Sequence, residues 1–419
     1  MALAARLIKM HAKRFAIHNL SPKMIEKLRT LKDADFAGKR VLLRADLNVP
    51  VKDGVIQDDT RLQAVLPTLR QLLDADARVV IMTHFGRPKG IAVPELKVDA
   101  IGAALSDLLG KEVRKLDDCI GAEVEAAALE MEAGDVVLLE NTRFHAEEKA
   151  NDDEFSKQLA ALGEVYVNDA FGTIHRAHAS TVGVAKLLPA YAGLLVEREI
   201  EVLGGLLQNA AKPVCLVMGG AKIDTKIGIL QKFLERADYF LIGGALANTF
   251  LAAEGYNVGK SLYQEDKLDV AREFLLAAES KREFVYLPTD TIVADEVSAD
   301  AESLDVLIDA VSGEMKMLDI GKLTAETFVK SIREAGTIIW NGPMGLYEFP
   351  QFGGGTKAVA EAIAESNAVS VVGGGDSIDA INNLGIAHEK FTHISTGGGA
   401  MLEFLEGKML PGVEVLLAE

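Results

Sequence analysis

Short apolar runs alternate with longer helical patterns along the chain from about residue 39 onward. The runs are rich in Val and Ile and apolar throughout, which is typical of strands that are covered on both faces. Alternation of such strands with helices predicts right-handed βαβ units and parallel sheets. The predicted strands are residues 41–46, 79–83, 136–140 and 165–169, followed by 214–218, 239–243, 284–288, 337–340 and 369–372.

Residues 187–212 separate the two sets of strands and predict a connecting helix. Apolar residues from Leu195 to Leu206 recur at helical spacing, and Pro189 and Pro213 bracket the stretch. A chain of 419 residues is too long for one ordinary core. We therefore predict an α/β protein with two Rossmann-like three-layer domains, each with a parallel sheet, joined by a helical hinge.

Charge and cysteine content narrow the class of protein. The net charge of −18 argues against a nucleic-acid or anionic-membrane partner, and no apolar run reaches membrane-spanning length. Cys119 and Cys215 are far apart in sequence, so neither a disulfide framework nor a zinc site is indicated. We expect a reducing compartment and a cytoplasmic protein.

The first 25 residues contain no acidic residue and carry four basic ones between Arg6 and Arg14. This composition resembles a transit peptide, so import into an organelle is an alternative location. An ordinary basic extension, or a natural start at Met24, explains the same composition, and we favour these two explanations.

Residues 369–386 contain a turn that is typical of a phosphate site. A buried-strand pattern meets three consecutive glycines, and a helical pattern that stops at Gly385 follows. We expect Asp376 or Ser377 to cap this helix. The free amides at such a helix N-terminus favour phosphate, and Asp376 fits beside phosphate if Mg²⁺ lies between them. A tight turn that uses glycine for its geometry alone is the competing interpretation.

The carboxyl ends of the first four strands are rich in basic residues, and ligands of open α/β sheets bind at these ends. Arginine suits carboxylate and phosphate through its bidentate fork, so several arginines on one rim of an acidic protein predict a small-anion site. For any single arginine a solvated or ion-paired position is the alternative, and His145 and His178 are equally consistent with core or capping positions. The rim residues are Asp46, Asn48, Arg61, Thr83, His84, Gly86, Arg87, Asn141, Arg143, His145, Asp169, His175, Arg176 and His178.

The second set of strands is followed by glycines and lysines. Lys222 and Lys226 come after a strand and a Gly-Gly pair. Residues four apart on a helix share a face, so both lysines are expected to reach one phosphate chain. Two exposed lysines on an amphipathic helix are the alternative.

Three further segments of this half are suited to nucleotide binding, whereas a fourth only resembles a nucleotide-binding motif. The small residues 243–244 admit a flat ring, and Asn341 and Glu348 are placed to contact a sugar. Residues 397–399 repeat the triple-glycine turn before a helix. Residues 255–261 are one residue short of a Walker A motif, so we expect an ordinary loop there.

Eight segments lie in order along both halves of the chain: RADLNVP (44–50), THFGRPKG (83–90), LENTRFHAEE (139–148), VNDAFGTIHRAHAS (167–180), GGAKIDTKIGIL (219–230), IWNGPMGLYEF (339–349), GGGDS (373–377) and STGGGAMLEFLEGK (395–408). Together they resemble the phosphoglycerate kinase family over about residues 24 to 419. Thr83, Phe85 and Ser377 replace a common Ser, Leu and Thr, and Ser377 keeps the hydroxyl group, so the chemistry is unaffected.

The resemblance implies a glycolytic phosphotransferase that moves a phosphoryl group between 1,3-bisphosphoglycerate and MgADP, giving 3-phosphoglycerate and MgATP. It implies a monomer that bends at a hinge. Residues 24–190 plus about 405–419 would bind phosphoglycerate, residues 191–404 would bind nucleotide, and residues 1–23 would be an extension.

The resemblance also implies site residues. Phosphoglycerate would be held by Asp46, Asn48, Arg61, His84, Arg87, Arg143 and Arg176. The nucleotide would be held by Lys222, Lys226, Gly243, Gly244, Gly321, Asn341, Glu348, Gly374, Gly375, Asp376 and Ser377, with Asp376 on Mg²⁺. Arg61, Lys222 and the amides around Gly398 would meet the transferring phosphoryl group.

Two other functions are weighed against this one. A catalytically silent nucleotide-binding or scaffolding protein would keep the fold, but the presence of Arg61, Lys222 and Asp376 argues against it. A kinase for a different small phosphorylated acid fits the arginines equally well on physical grounds, and only the resemblance selects 3-phosphoglycerate.

Overall fold

The structure is a computed structural model that describes residues 26–418, apart from the side chains of residues 281–283. The chain forms two compact units: one contains residues up to Gly204 and from Gly407 onward, and the other is Gly205–Glu406. The predicted extension, residues 1–23, lies outside the described residues. The predicted assignment of one ligand to each domain stays a prediction.

The first unit is built on a six-stranded, wholly parallel sheet. Arg44 lies opposite Met82 on one neighbouring strand and opposite Asn168 on the other, so the central strands end at one edge. The strands, in spatial order, are Val113–Lys115, Val136–Leu138, Arg78–Met82, Arg40–Ala45, Val165–Asp169 and Ala190–Ala192. The helices are Thr60–Asp74, Asp99–Leu109, Ala122–Leu129, Ala146–Ala150, Asp153–Ala160 and Pro411–Glu414.

Helix Thr60–Asp74 illustrates how this unit closes its core. Leu62, Leu66 and Leu69 recur at helical spacing and are buried in one cluster with Val41 of the sheet. Burying a leucine side chain of this kind contributes about 1.5–3 kcal/mol. The same helix carries Arg61 in its first turn, so the packed face fixes the position of that arginine at the edge of the sheet.

The second unit repeats the design with another six-stranded parallel sheet. Its strands, in spatial order, are Val285–Tyr286, Tyr239–Ile242, Val214–Met218, Thr337–Asn341, Val369–Gly373 and His393–Ser395. Its helices are Ile227–Phe233, Gly244–Glu254, Leu268–Ala277, Lys322–Glu334, Gly354–Glu365, Gly375–Asn383 and Gly398–Leu405. The predicted α/β class with parallel sheets is confirmed, and each predicted strand is present.

Several short elements were not predicted. A hairpin pairs Val51–Lys52 with Val55–Ile56, and three outer parallel strands, Val113–Lys115, Ala190–Ala192 and His393–Ser395, are only three residues long. The second unit also carries an antiparallel sheet, in the order Leu304–Leu307, Asp290–Ala294 and Lys316–Ile320. The residues of Leu304–Leu307 are all at least partly exposed, so this edge strand lacks the continuous apolar run that marks a buried strand.

The predicted connecting helix is Leu194–Asn209, so it covers part of residues 187–212. Its N-terminus is held by Asp169, the last residue of a sheet strand. One carboxylate oxygen of Asp169 accepts the amides of Leu195 (2.9 Å) and Val196 (3.4 Å). The helix therefore starts at the same sheet edge that carries the rim residues.

Both cysteines are buried and free. Among the residues that the structure describes, no helix has the length and apolar character needed to cross a bilayer.

We predict that Phe328→Ala lowers the free energy of unfolding by about 3–5 kcal/mol, because Phe328 is completely buried in the second unit's core. Urea unfolding followed by fluorescence of Trp340, the single tryptophan, measures the change. Leu323→Ala is the matched control on the same helix, since Leu323 is 53% exposed. Its effect should stay within about 1 kcal/mol, and equal effects of the two changes would contradict the packing described.

Candidate active site

Arg61 is held in place before any ligand binds. Its Nη1 donates to both carboxylate oxygens of Asp46 (3.1 Å each) and to the carbonyl oxygen of Asn48 (3.1 Å). The Asn48 side-chain oxygen in turn accepts the Gly86 amide at 2.8 Å. Because one nitrogen makes these contacts and the side chain is 33% exposed, the guanidinium retains donors for an anion.

Sequence reasoning missed Arg44, a completely buried arginine inside the first strand's motif. Its Nε donates to Ser180 Oγ (2.8 Å), and Ser180 donates to the buried carboxylate of Glu148 (2.6 Å). A charged residue within an otherwise apolar strand is the signal that could have found it, since buried charges need dedicated partners.

His84 is neutral, and Arg44 fixes its tautomer. Arg44 Nη2 lies 3.1 Å from His84 Nδ1, and because guanidinium only donates, Nδ1 accepts and the proton sits on Nε2. Burial lowers the pKa of His84 well below its usual range, and Arg44, Arg143, Arg61 and Arg176 act in the same direction. Four arginines therefore surround this one imidazole.

Two of these arginines leave donors unused. Arg143 is buried and its Nη1 donates to the Gly86 carbonyl (2.9 Å), while its buried Nε has no partner in the described chain. Arg176 Nε donates to His175 Nε2 (3.1 Å), which places the His175 proton on an unpartnered Nδ1. Buried donors without acceptors are costly, and an anionic ligand would satisfy them.

Arg87 differs from the other rim arginines. It is exposed, and it makes neither an ion pair nor a hydrogen bond with any residue that the structure describes. His145 and His178 each have an acidic neighbour. His145 is hydrogen-bonded to Asp118 (2.7 Å), and His178 lies 3.8 Å from Glu148.

In the second unit the two triple-glycine turns lie side by side. Strand residues Asn341, Gly373 and Ser395 are aligned in register, so the following loops leave the same edge. A Cβ placed on Gly398 would lie 3.3 Å from the Cα of Gly374. Gly374 has φ +102°, a conformation that favours glycine. Two helix N-termini therefore meet, and their free amides face a common place.

The expected capping of the first turn is wrong in detail. Gly374 occupies the N-cap position and helix Gly375–Asn383 begins directly after it, so Asp376 and Ser377 lie in its first turn. Ser377 Oγ instead accepts the Gly342 amide at 2.7 Å. This leaves Asp376 exposed, without a hydrogen bond to any described residue, and available to a cation.

The two lysines are not on one helical face. Lys222 is the N-cap of a short 3-10 helix, Ile223–Thr225, and Lys226 is the N-cap of the next helix, Ile227–Phe233. They nevertheless line one cavity of about 220 Å³. Burial lowers the pKa of Lys226, and the nearby charge of Asp376 opposes that shift. The predicted residues in this cavity are Lys222, Lys226, Asn341, Gly374, Asp376 and Ser377.

A larger cavity of about 630 Å³ adjoins the first, since Gly220, Ala221 and Asp376 line both. It contains the predicted Gly244 and Glu348, whereas Asn341 lies only in the smaller cavity. Its volume and apolar walls suit a flat ring. Residues that the sequence did not single out for this wall include Asn248, Tyr263, Pro288, Met317, Leu318, Pro343, Leu346 and Tyr347.

Three predicted glycines lie outside these two cavities. Gly243 is the N-cap of helix Gly244–Glu254, and Gly375 is an exposed helix residue. Gly321 lines a neighbouring cavity of about 430 Å³, which shares Asp319 and Ile320 with the large one. Residues 255–261 form a loop as expected, although Lys260 and Ser261 reach the large cavity.

Comparison with known proteins identifies the family to which the chain belongs. A sequence model of the family "Phosphoglycerate kinase" matches residues 31–408. The chain belongs to the phosphoglycerate kinase family.

Two relatives illustrate the similarity in sequence, and both are named phosphoglycerate kinase. The protein from Dictyoglomus turgidum is 53% identical over 92% of this chain and 97% of its own length. The protein from Pelotomaculum thermopropionicum is 50% identical over 93% of this chain and 99% of its own length.

Two solved phosphoglycerate kinase structures illustrate the similarity in fold. The structure from Coxiella burnetii has a TM-score of 0.81 and 42% identity, over 93% of this chain and 98% of the other. The structure from Pyrococcus horikoshii has a TM-score of 0.83 and 37% identity, over the same shares. Membership of the phosphoglycerate kinase family confirms the predicted phosphotransferase class and glycolytic reaction.

We predict that the free energy of unfolding depends on pH through His178, one of the rim residues of the first unit. Burial lowers the pKa of His178 to about 4, from an ordinary 6.5, with Arg143 and Arg44 adding to the shift. The unfolded chain thus gains this proton first as pH falls, so stability is complete above about pH 6.5 and is lost towards pH 4. Between these values His178→Gln should flatten the slope of unfolding free energy by up to about 1 kcal/mol per pH unit.

Urea unfolding at several pH values measures this slope, and Leu323→Ala, which keeps every histidine, should run parallel to the unmodified chain. The difference between variants is the readout, because burial raises the pKa of Asp169 and Asp319 to about 7 and these groups act in the opposite direction. Identical slopes for His178→Gln and the unmodified chain would contradict the neutral imidazole.

Proposed function

We propose that the arginine rim of the first unit binds the phosphoglycerate and that the adjoining cavities of the second unit bind MgADP or MgATP. The observation that carries this proposal is the contrast between the two sites. One site gathers guanidinium groups with unused donors, and the other gathers glycine amides, two lysines and one free carboxylate. The first composition suits a small phosphorylated acid, and the second suits a metal-bound nucleotide.

Phosphoglycerate is held by Asp46, Asn48, Arg61, His84, Arg87, Arg143 and Arg176 in this proposal. Arg61 is preorganised by Asp46 and Asn48, so it stabilises charge without having to move into place. His84 offers its Nε2 proton as a neutral donor, and Arg143 offers its unpartnered Nε. Exposed Arg87 has no competing partner in the described chain and is free to follow the ligand.

The nucleotide is held by Lys222, Lys226, Gly243, Gly244, Gly321, Asn341, Glu348, Gly374, Gly375, Asp376 and Ser377. The base lies in the large cavity, and the phosphates lie in the small cavity, which Lys222 and Lys226 line. Asp376 lines both cavities, so one nucleotide can extend from one into the other. Asp376 fits a magnesium ligand, since its carboxylate has no hydrogen bond within the described residues. When bound there, Mg²⁺ supplies positive charge for the phosphate chain.

The chemistry needs alignment and neutralised charge more than a nucleophile from the protein. An acyl phosphate is already activated, so Arg61, Lys222 and the amides around Gly398 need only stabilise the oxygens of the phosphoryl group during in-line transfer. Because the two substrates bind to different units, we propose hinge bending at helix Leu194–Asn209, which excludes water before transfer. We propose a cytoplasmic monomer.

A coupled assay with 3-phosphoglycerate and MgATP tests the proposal, with ADP formation as the readout. The proposal expects turnover with this acid and much slower turnover with other small phosphorylated acids. Faster turnover with another acid would identify a different substrate. Binding of MgADP at equilibrium without any turnover would indicate a catalytically silent protein.

We predict that Arg61→Ala lowers kcat by about 10²-fold or more, since removal of one preorganised charge-stabilising donor has that effect. The KM for 3-phosphoglycerate should change far less. Steady-state kinetics measures both constants. Arg70→Ala is a matched control, because Arg70 is an exposed arginine on the same helix. Near-normal turnover of Arg61→Ala would remove this residue from the mechanism.

We predict that Asp376→Asn raises the Mg²⁺ concentration for half-maximal activity by about tenfold or more, because a neutral amide is a weaker ligand for a hard cation. A magnesium titration at saturating nucleotide measures the shift. Asp379→Asn is the control one turn along the same helix, where the side chain accepts a hydrogen bond from Tyr347 (2.8 Å). An unchanged magnesium requirement for Asp376→Asn would exclude it as the ligand.

A further inference from the structure

Asp118, Cys119 and His145 form a compact cluster in the first unit that the proposed reaction does not use. Each offers one potential ligand atom, and these atoms all lie within 4.8 Å of one another. Asp118 and Cys119 follow strand Val113–Lys115, and His145 follows the short helix Thr142–Phe144. No other trio of this kind occurs among the side chains that the structure describes.

The donor set selects the kind of cation. A thiol, an imidazole and a carboxylate together suit a borderline-soft divalent ion, whereas Mg²⁺ and Ca²⁺ take oxygen ligands. Tetrahedral Zn²⁺, with bonds of about 2.0–2.3 Å, places its ligand atoms roughly 3.3–3.8 Å apart. The distances between the ligand atoms therefore need to change by about 1.5 Å at most, which side-chain rotation can supply.

The surroundings of the cluster are open on one side and negatively charged. The side chains of Asp118 and His145 are 53% and 26% exposed, whereas Cys119 is completely buried. An ion can thus approach from solvent and keep a water molecule as its fourth ligand. Burial raises the pKa of the Cys119 thiol, and the charges of Asp118, Glu148 and Glu140 act in the same direction, so the thiol keeps its proton until a cation displaces it. The same negative charges attract a cation.

We propose that Asp118, Cys119 and His145 bind one Zn²⁺ ion, with water completing the tetrahedron. The competing interpretation is a plain hydrogen bond between His145 Nε2 and Asp118 (2.7 Å) beside an inert thiol. The two descriptions differ in whether the sulfur takes part, and that difference can be measured.

The site would also influence the rim, an extension that rests on the proposed function. The His145 amide donates to the Thr142 carbonyl (3.2 Å) in the short helix that carries Arg143. Zn²⁺ at His145 would therefore constrain the loop that presents Arg143. By linkage, zinc and 3-phosphoglycerate then change each other's affinity by the same factor.

Binding of the metal alone tests the site. The full chain, reduced and freed of metal with a chelator, is titrated with Co²⁺, and a near-ultraviolet thiolate-to-cobalt band is expected at one equivalent. Cys119→Ser should abolish the band, and Asp118→Asn and His145→Gln should each weaken Zn²⁺ binding in calorimetry at least tenfold. Cys215→Ser is the control, because Cys215 is a buried cysteine of the second unit and should leave the band intact.

Absence of the band in the unmodified chain would overturn the proposal, as would a band that persists in Cys119→Ser. If Cys119→Ser fails to fold, unchanged zinc affinity in both Asp118→Asn and His145→Gln would overturn it equally. Calorimetry of 3-phosphoglycerate without nucleotide, with Zn²⁺ or with chelator, tests the coupling. Equal affinities would overturn the coupling alone, and no binding in either condition would contradict the proposed function instead.

Discussion

The register of the parallel strands is the constraint on which both sites depend. In the second unit Met218, Asn341 and Gly373 lie side by side on adjacent strands, so the loops after them start from one line. In the first unit Arg44 and Asn168 are aligned in the same way. Residues that are far apart in sequence thereby reach one edge, where backbone groups are no longer paired within the sheet and are free to bind ligands.

The two units place different chemistry on that shared geometry. The first gathers guanidinium groups, and it keeps them together by anchoring buried Arg44 to Ser180 and by holding His84 neutral. Such a cluster is poorly compensated without a ligand, which is the physical reason that it favours an anion. The second combines amides from two glycine turns with Lys222, Lys226 and Asp376, so the phosphate site that we propose there needs few further fixed charges.

The apolar runs predicted the buried strands because strands covered on both faces carry an unbroken signal. The same rule could not predict Leu304–Leu307, an exposed edge strand. The sequence singled out the glycine turn at residues 373–377, but it did not predict which residue caps the following helix. Gly374 takes the N-cap position that was expected of Asp376 or Ser377. The cluster at Asp118 and His145 needs tertiary contact between separate loops, and sequence spacing carries no indication of it.

The central claim is that one unit binds the acid and the other binds the nucleotide, and hydrogen exchange with each ligand alone tests it most directly. The account predicts that 3-phosphoglycerate slows exchange at residues 83–87 and 141–145. It predicts that MgADP slows exchange at residues 219–226 and 373–377. Protection of the same unit by both ligands, or the reverse assignment, would contradict the account.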